Sequence, residues 1–332
     1  MGWTDGSVPD DGGMPTDDGA PPTDAGPPSP WVDPGCIDGM YGESLGDGTA
    51  DISSLLAGYS SADFQTFVDG VLSMRYPIGA HIVRQARTHT EVGGDCVDLF
   101  LSDRSTGEAV IRGLSTVVHE CGHFLDLGES GFSSAVYVIT DALTLTCSGG
   151  DATGRGGMTF ARSRIRGDSY QTLRPACPGG SPSPGCDSYA DVYLDGNPDD
   201  ATFDGGDQGF DSLLEETAQY VNSLATSHAF TREIGAGGRR VSERDGILTF
   251  LWYLERYLRL ARESYPAAHS FLLADSCWRT AILTLWGRAW LFLEATVGMA
   301  HLGIDDDAIL GLVTDPTLLA EIELVRVAAG CP

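Results

Sequence analysis

Lysine is missing from this chain altogether: of its 332 residues, 20 are basic, all of them arginine, against 47 acidic ones. A net charge of −27 leaves no basic stripe for a phosphate backbone. Nucleic acid is therefore excluded as a partner, and anionic membrane surfaces are disfavoured. The acidic surplus reads as solubility and repulsion from other acidic surfaces. No CxxC pair is present, which argues against a cysteine zinc finger or a thioredoxin-type site. Nor is there a visible signal peptide. Residues 1–35 hold seven aspartates, many prolines and glycines and no basic residue, which fits neither an apolar h-region nor a transit peptide. The segment reads as a disordered, acidic Pro/Gly/Asp-rich linker. Such linkers follow secretion signals or lipid anchors, so an N-terminal tether ahead of Met1 is expected. Long membrane-type runs are also lacking. The most apolar stretch, 281–300, carries Arg288 and Glu294, both costly at mid-bilayer, and reads as a buried helix rather than a membrane span.

What is present suits a sizeable folded protein. Hydrophobic residues make up 42% of the chain, and the length allows two domains or one large one. Eight cysteines lie scattered through it, an even count that suits disulfides and an oxidising compartment. The expected location is secreted or cell-surface. Only one pairing is suggested locally: a Gly/Pro-rich turn can bring Cys177 and Cys186 together.

Hydrophobic periodicity organises the rest. Phe64, Phe67, Val68 and Leu72 fall at helical spacing in 61–75. Residues 79–86 and 95–102 read as strands, and 109–127 as a helix stopped by Gly128. From 128 to 210 an irregular insertion with a few strands is expected, rich in long Gly/Pro/Asp loops. A strong helix follows over 210–230, and 242–330 reads as all-helical, ending in a helix near 315–329.

The chemistry lies in "HECGH", residues 119–123. On a helix, positions i and i+4 stand about 40° apart, so His119 and His123 converge on one ion. Glu120 stands about 100° from His119 and about 60° from His123, within reach of water at that ion. Zinc in such a site acidifies water, and Glu120 can take the proton and deliver it to a leaving amine. Cys121 lies about 160° from both histidines, on the side of Leu114, Val118 and Leu125. That direction excludes ligation of the same ion. It suits core packing or a disulfide, with Cys96 or Cys147 as partner.

A third ligand is needed. Asp126 and Glu129 occupy the positions where a metzincin extension has Gly and His or Asp, so a glutamate on the later helix is the alternative. Taking Leu213, Leu214, Tyr220, Val221 and Leu224 as the buried face puts Glu216 at its edge, about 100° from the centre. Glu215 then lies about 160° away, towards solvent. Counting Ala218 and Ala225 as apolar makes the two nearly equal. Glu216 is the chosen ligand, with Gln219 and Tyr220 on its side as hydrogen-bond partners for it.

H-E-C-G-H followed by a helix carrying L-L-E-E-T-A resembles the gluzincin branch of the zincin metallopeptidases, the thermolysin-like architecture. The resemblance covers the two motif helices and less than half the chain. It implies zinc held by His119, His123 and Glu216, with Glu120 as general base. Two departures stand out: 93 residues separate His123 from Glu216, and Tyr220 stands where thermolysin-like members carry Asp. The expected fold is α+β. A zincin-like catalytic core over 36–241 has a small β-sheet, the H-E-x-x-H helix and the insertion at 128–210. An all-helical C-terminal subdomain follows over 242–332.

The expected function is a zinc metallopeptidase acting on protein or peptide. The alternatives are a non-catalytic zinc-containing envelope or binding protein, against which Glu120 argues, and a zinc hydrolase of glycopeptides. For the oxyanion donor, Tyr170, Tyr189, Tyr193, Tyr220 and His228 compete. Asp195, Asn197, Asp199, Asp200, Asp204 and Asp207 lie in a loop suited either to calcium or to plain solvation. The "RGD" at 166–168 is short enough to arise by chance.

Overall fold

The computed structural model describes residues 29–131, 134–148, 157–178, 183–196 and 207–332. Most of these are helical. In chain order the helices are α1 (Ile37–Met40), α2 (Ser53–Ala57), α3 (Phe64–Arg75), α4 (Pro77–Ala86), α5 (Cys96–Phe100) and α6 (Gly107–Glu129). An antiparallel pair, β1 (Ser134–Val138) and β2 (Thr144–Ser148), follows with Ser134 opposite Ser148. Then come α7 (Ala190–Tyr193), α8 (Phe210–Ala229), α9 (Thr231–Ile234), α10 (Glu243–Ser264), α11 (Pro266–Ala274), α12 (Ser276–Ala295), α13 (Asp306–Val313) and α14 (Pro316–Ala329). Everything after residue 242 is helix or short connection, as its periodicity predicts.

Two expected strands are helices. Residues 79–86 fall in α4, which opens with Pro77 at its first position, where the missing N–H costs nothing. Ile78, Ala80, Ile82, Val83 and Ala86 are all buried there. Burial on several sides produces a β-like apolar run from a helix. Residues 95–102 contain α5, capped by Asp95, whose Oδ1 accepts from the Val97 and Asp98 amides. The sheet among the described residues is therefore the β1–β2 hairpin alone, within the region read as an insertion.

α6 begins at Thr106, whose hydroxyl accepts from the Ala109 amide at 3.1 Å. It does not stop at Gly128 but runs to Glu129. Gly128 serves packing instead, since a Cβ there would collide with the His89 ring. α8 lies between α6 and α10 and also contacts α12. No residue of α8 is exposed. Apolar side chains from before and after residue 242 belong to one buried cluster.

Arginine supplies the buried cations. Arg288 pairs with Glu43 at 2.8 Å and Arg256 with Asp168 at 2.9 Å, while the partly buried Arg326 pairs with Asp38 at 2.6 Å. Ahead of α1, the Trp31 carbonyl accepts from Trp286 Nε1 at 2.8 Å. Four disulfides join Cys36–Cys331, Cys96–Cys121, Cys147–Cys277 and Cys177–Cys186, leaving no free cysteine. The expected local pair, Cys177–Cys186, is among them. No described helix is long and apolar enough to cross a membrane. The 281–300 run lies largely in α12 with Arg288 wholly buried.

Candidate metal centre

Two helices build the site. α6 contributes His119, Glu120 and His123; α8 contributes Glu216 and the side chains that hold the imidazoles. The Nε2 atoms of His119 and His123 face each other at 3.1 Å. Glu216 Oε2 stands 3.8 Å from His119 Nε2 and 3.6 Å from His123 Nε2. One donor atom from each of the three residues lies within 4.8 Å of the others. All three side chains are buried, Glu216 to 1% exposure. Among the described residues this is the one group of histidine, cysteine and acidic side chains able to hold an ion.

The other ring nitrogens are occupied. His119 Nδ1 hydrogen-bonds Ser223 Oγ at 3.0 Å, and His123 Nδ1 meets both Glu215 oxygens at 2.7 and 2.8 Å. A carboxylate only accepts, so His123 carries a hydrogen on Nδ1 and presents Nε2 to the cluster. An N,N,O donor set with buried walls and carboxylate support fits zinc. Burial alone would lower the basicity of His123, but the carboxylates of Glu215 and Glu216 outweigh it and raise its pKa to about 10. His119 goes the other way. Burial, and then the charge on His123, hold it well below the usual imidazole range.

The face argument expected Glu215 to turn towards solvent, and it does not. It is partly buried and bonded to His123. The reason is that α8 has no solvent face: small polar residues such as Thr217, Ser223 and Thr226 are as buried as its leucines. Gln219, expected to support Glu216, instead donates to Glu215 Oε1 at 3.0 Å and Asp126 Oδ2 at 2.9 Å. Asp126 also accepts from the Val138 amide at 2.8 Å, tying the hairpin to α6. Burial, reinforced by the Glu215 charge, pushes the Asp126 pKa well up. Ser223, Asp126 and the supporting role of Glu215 were missed. For Ser223 and Glu215 the sequence signal was a run of polar residues at 3–4 spacing on α8; Asp126, on α6, had none.

Glu120 is partly buried, and its charge reaches His123. Of the five oxyanion candidates, Tyr220 stands at the site, its ring edge-on to His119 with centroids 4.8 Å apart. Tyr193 and Tyr220 share a hydroxyl hydrogen bond of 3.0 Å. Tyr189 packs on Tyr220, but its hydroxyl donates to the Ser242 carbonyl. Tyr170 bonds Thr317, and His228 packs by Phe292, both outside the cluster. Burial, followed by the neighbouring Tyr193 and Tyr189 phenols, raises the Tyr220 pKa well above the ordinary phenol value and keeps it a donor.

Cys121, on the opposite side of α6, bonds Cys96 on α5. The helical direction of Cys121 and the disulfide therefore agree. The calcium candidates Asn197, Asp199, Asp200 and Asp204 lie outside the described residues. The charged residues of the RGD sequence are engaged within the chain. Arg166 pairs with Asp191, while Asp168 caps a turn at Gln171 and takes Arg256 through both oxygens. In comparisons with known proteins, no family model, no curated protein and no solved structure matches this chain.

Proposed function

We propose that this chain is a zinc-dependent metalloendopeptidase of zincin type, similar in its site to the gluzincins, and that it works outside the cytoplasm, secreted or tethered at the cell surface. The observation that carries the reading is the convergence of His119 Nε2, His123 Nε2 and a Glu216 oxygen while Ser223 and Glu215 occupy both Nδ1 atoms. Zinc held there supplies Lewis acidity, polarising a peptide carbonyl and acidifying water. Glu120, one position along the helix from His119, accepts the proton of the attacking water and hands it to the departing amine. The Tyr220–Tyr193 pair donates towards the developing oxyanion. Ser223 and Glu215 hold the two imidazoles in orientation, and Glu215, which only accepts, sets the hydrogen of His123 on Nδ1. Four disulfides without a free cysteine support the extracytoplasmic location.

The experiment combines metal analysis with three variants. The native chain should carry about one zinc. Glu120→Gln should keep that zinc and lose hydrolysis of a denatured protein substrate. Glu216→Ala should lose zinc more completely than Glu215→Ala. A native protein without zinc, or a Glu120→Gln variant that cleaves as well as the parent, overturns the reading.

A further inference from the structure

Behind His123, on the side away from the ligand cluster, a line of polar side chains crosses the interior. Arg288 on α12 is 0% exposed. It donates from Nε to Glu43 Oε2 at 2.8 Å, from Nη2 to Glu43 Oε1 at 3.3 Å and Tyr76 Oη at 3.0 Å, and from Nη1 to Asn222 Oδ1 at 2.8 Å. Asn222 Nδ2 then donates to Gln219 Oε1 at 2.7 Å. Gln219 Nε2 spends its two hydrogens on Glu215 and Asp126. Glu215 accepts from His123 Nδ1. Asn222 and Gln219 are each 1% exposed.

The polarity of this line is not free. The two ends of an amide have the same shape, so the bonds alone decide which way each one points. A guanidinium can only donate. Asn222 must therefore turn its oxygen to Arg288 and its nitrogen to Gln219. Gln219 must in turn show its oxygen to Asn222 and its nitrogen to the carboxylates. Glu215, steadied by that nitrogen, accepts from His123 Nδ1 and leaves Nε2 facing the ligand cluster.

The line also needs a gap between α6 and α8. Gly122 supplies it, since a Cβ at that position would overlap the Gln219 amide. The glycine of H-E-C-G-H is thus required by what stands behind the histidines.

We propose that Arg288, acting through Asn222 and Gln219, holds the Glu215 carboxylate in place and through it the orientation of the His123 ring, so that these three are positioning residues of the metal centre. This rests on the zinc reading given above. A buried charge more than one helix away thereby steadies the carboxylate that orients the His123 ring.

The test is zinc affinity of the full chain, measured with Zn2+ alone against a chromophoric chelator, together with the visible spectrum of the Co2+-loaded protein. Asn222→Leu cuts the line. Asn222→Asp keeps its shape and its bond to Arg288 but cannot donate to Gln219, so the Gln219 amide turns its oxygen against Glu215. The added negative charge by itself would favour a cation, so a loss of affinity reads polarity. Gln219→Glu makes the same reversal one link nearer the site. With far-UV circular dichroism unchanged, all three variants should bind zinc about 10- to 100-fold more weakly and shift the cobalt bands. Asn222→Asp should be no better than Asn222→Leu. Recovery of parental affinity in Asn222→Asp would mean that Asn222 merely pairs with Arg288, and the proposal falls. Zinc uptake by the parent with undiminished affinity in all three variants overturns the relay alone. No zinc uptake by the parent overturns the metal reading and the relay with it.

Discussion

Removing the Cys96–Cys121 disulfide should cost stability without costing zinc. The bridge closes a loop with a sequence separation of 25, with no other crosslink inside it, so chain-entropy arithmetic applies directly and gives about 3.5 kcal/mol at 25 °C. Both cysteines are fully buried, and replacing each by alanine adds a sulfur-sized void of about 1 kcal/mol. Cys96→Ala/Cys121→Ala should therefore lose about 5 kcal/mol in urea unfolding of the metal-free protein, a large part of an ordinary domain's stability. Zinc affinity, measured by chelator competition on the folded variant, should stay within about threefold of the parent. The reason is directional. Cys121 leaves α6 about 160° from either histidine, and its partner α5 packs on that far side. A stability loss below about 2 kcal/mol would refute the crosslink argument. A tenfold fall in zinc affinity of a variant that is still folded would refute the separation of the two helix faces.

Gly122→Ala should destabilise by about 3 kcal/mol, the upper end of overpacking, although alanine is the better helix former by about 1 kcal/mol; an unfolding curve showing a neutral or stabilising effect would mean that α6 and α8 are not so closely approached. Arg288→Leu should cost about 3–5 kcal/mol because it strands Glu43 in the interior, and most of that should return in Glu43→Leu/Arg288→Leu; thermal unfolding of the two variants decides it. Glu255 on α10 is 0% exposed, and its carboxyl oxygens find no hydrogen-bond partner among the described residues. Burial first, then the Asp315 and Glu321 charges, hold its pKa well above the usual value. The native chain thus keeps a proton that the unfolded chain releases. The stability this group contributes is full below the unfolded-state pKa and declines by about 1.4 kcal/mol per pH unit above it, until the folded-state pKa is passed. Glu255→Gln should flatten that decline and stabilise the protein at pH 7–8; an unchanged pH profile of unfolding would show that Glu255 is charged in the native state.

The long elements were legible from periodicity, helped in places by an end signal. α14 shows the point, with Asp315 and Pro316 at its start and Gly330 in a left-handed turn at its end. The short helices α4 and α5 were not legible as helices. "GAHIVRQA" alternates well enough for a strand, and short apolar runs do not separate the two periods. The overlooked clues were Pro77 and Asp95, one opening a helix and the other capping one. At the site, helical angles alone placed His119, His123 and Cys121 on their proper sides, because that argument needs one helix and no partner. Glu216 does fall in the cluster with His119 and His123, but the edge used to choose it does not exist on a helix buried on every side. Giving Glu215 its role needed the position of α6, which no single-helix angle contains. Asn222 and Arg288 were further out of reach, since the two lie 66 residues apart in sequence.

The burial of α8 on every side bears on how this chain tolerates change. A half-exposed helix accepts substitutions with a beat of 3.6 residues, tolerant where it meets water and intolerant where it meets the core. In α8 only Ser212, Glu215, Tyr220 and His228 are even partly accessible, and Glu215 and Tyr220 stand in the candidate centre. A saturation scan of 210–229 should therefore give a nearly flat profile of intolerance, with polar positions such as Asn222 and Ser223 as unforgiving as Leu213 and Leu224.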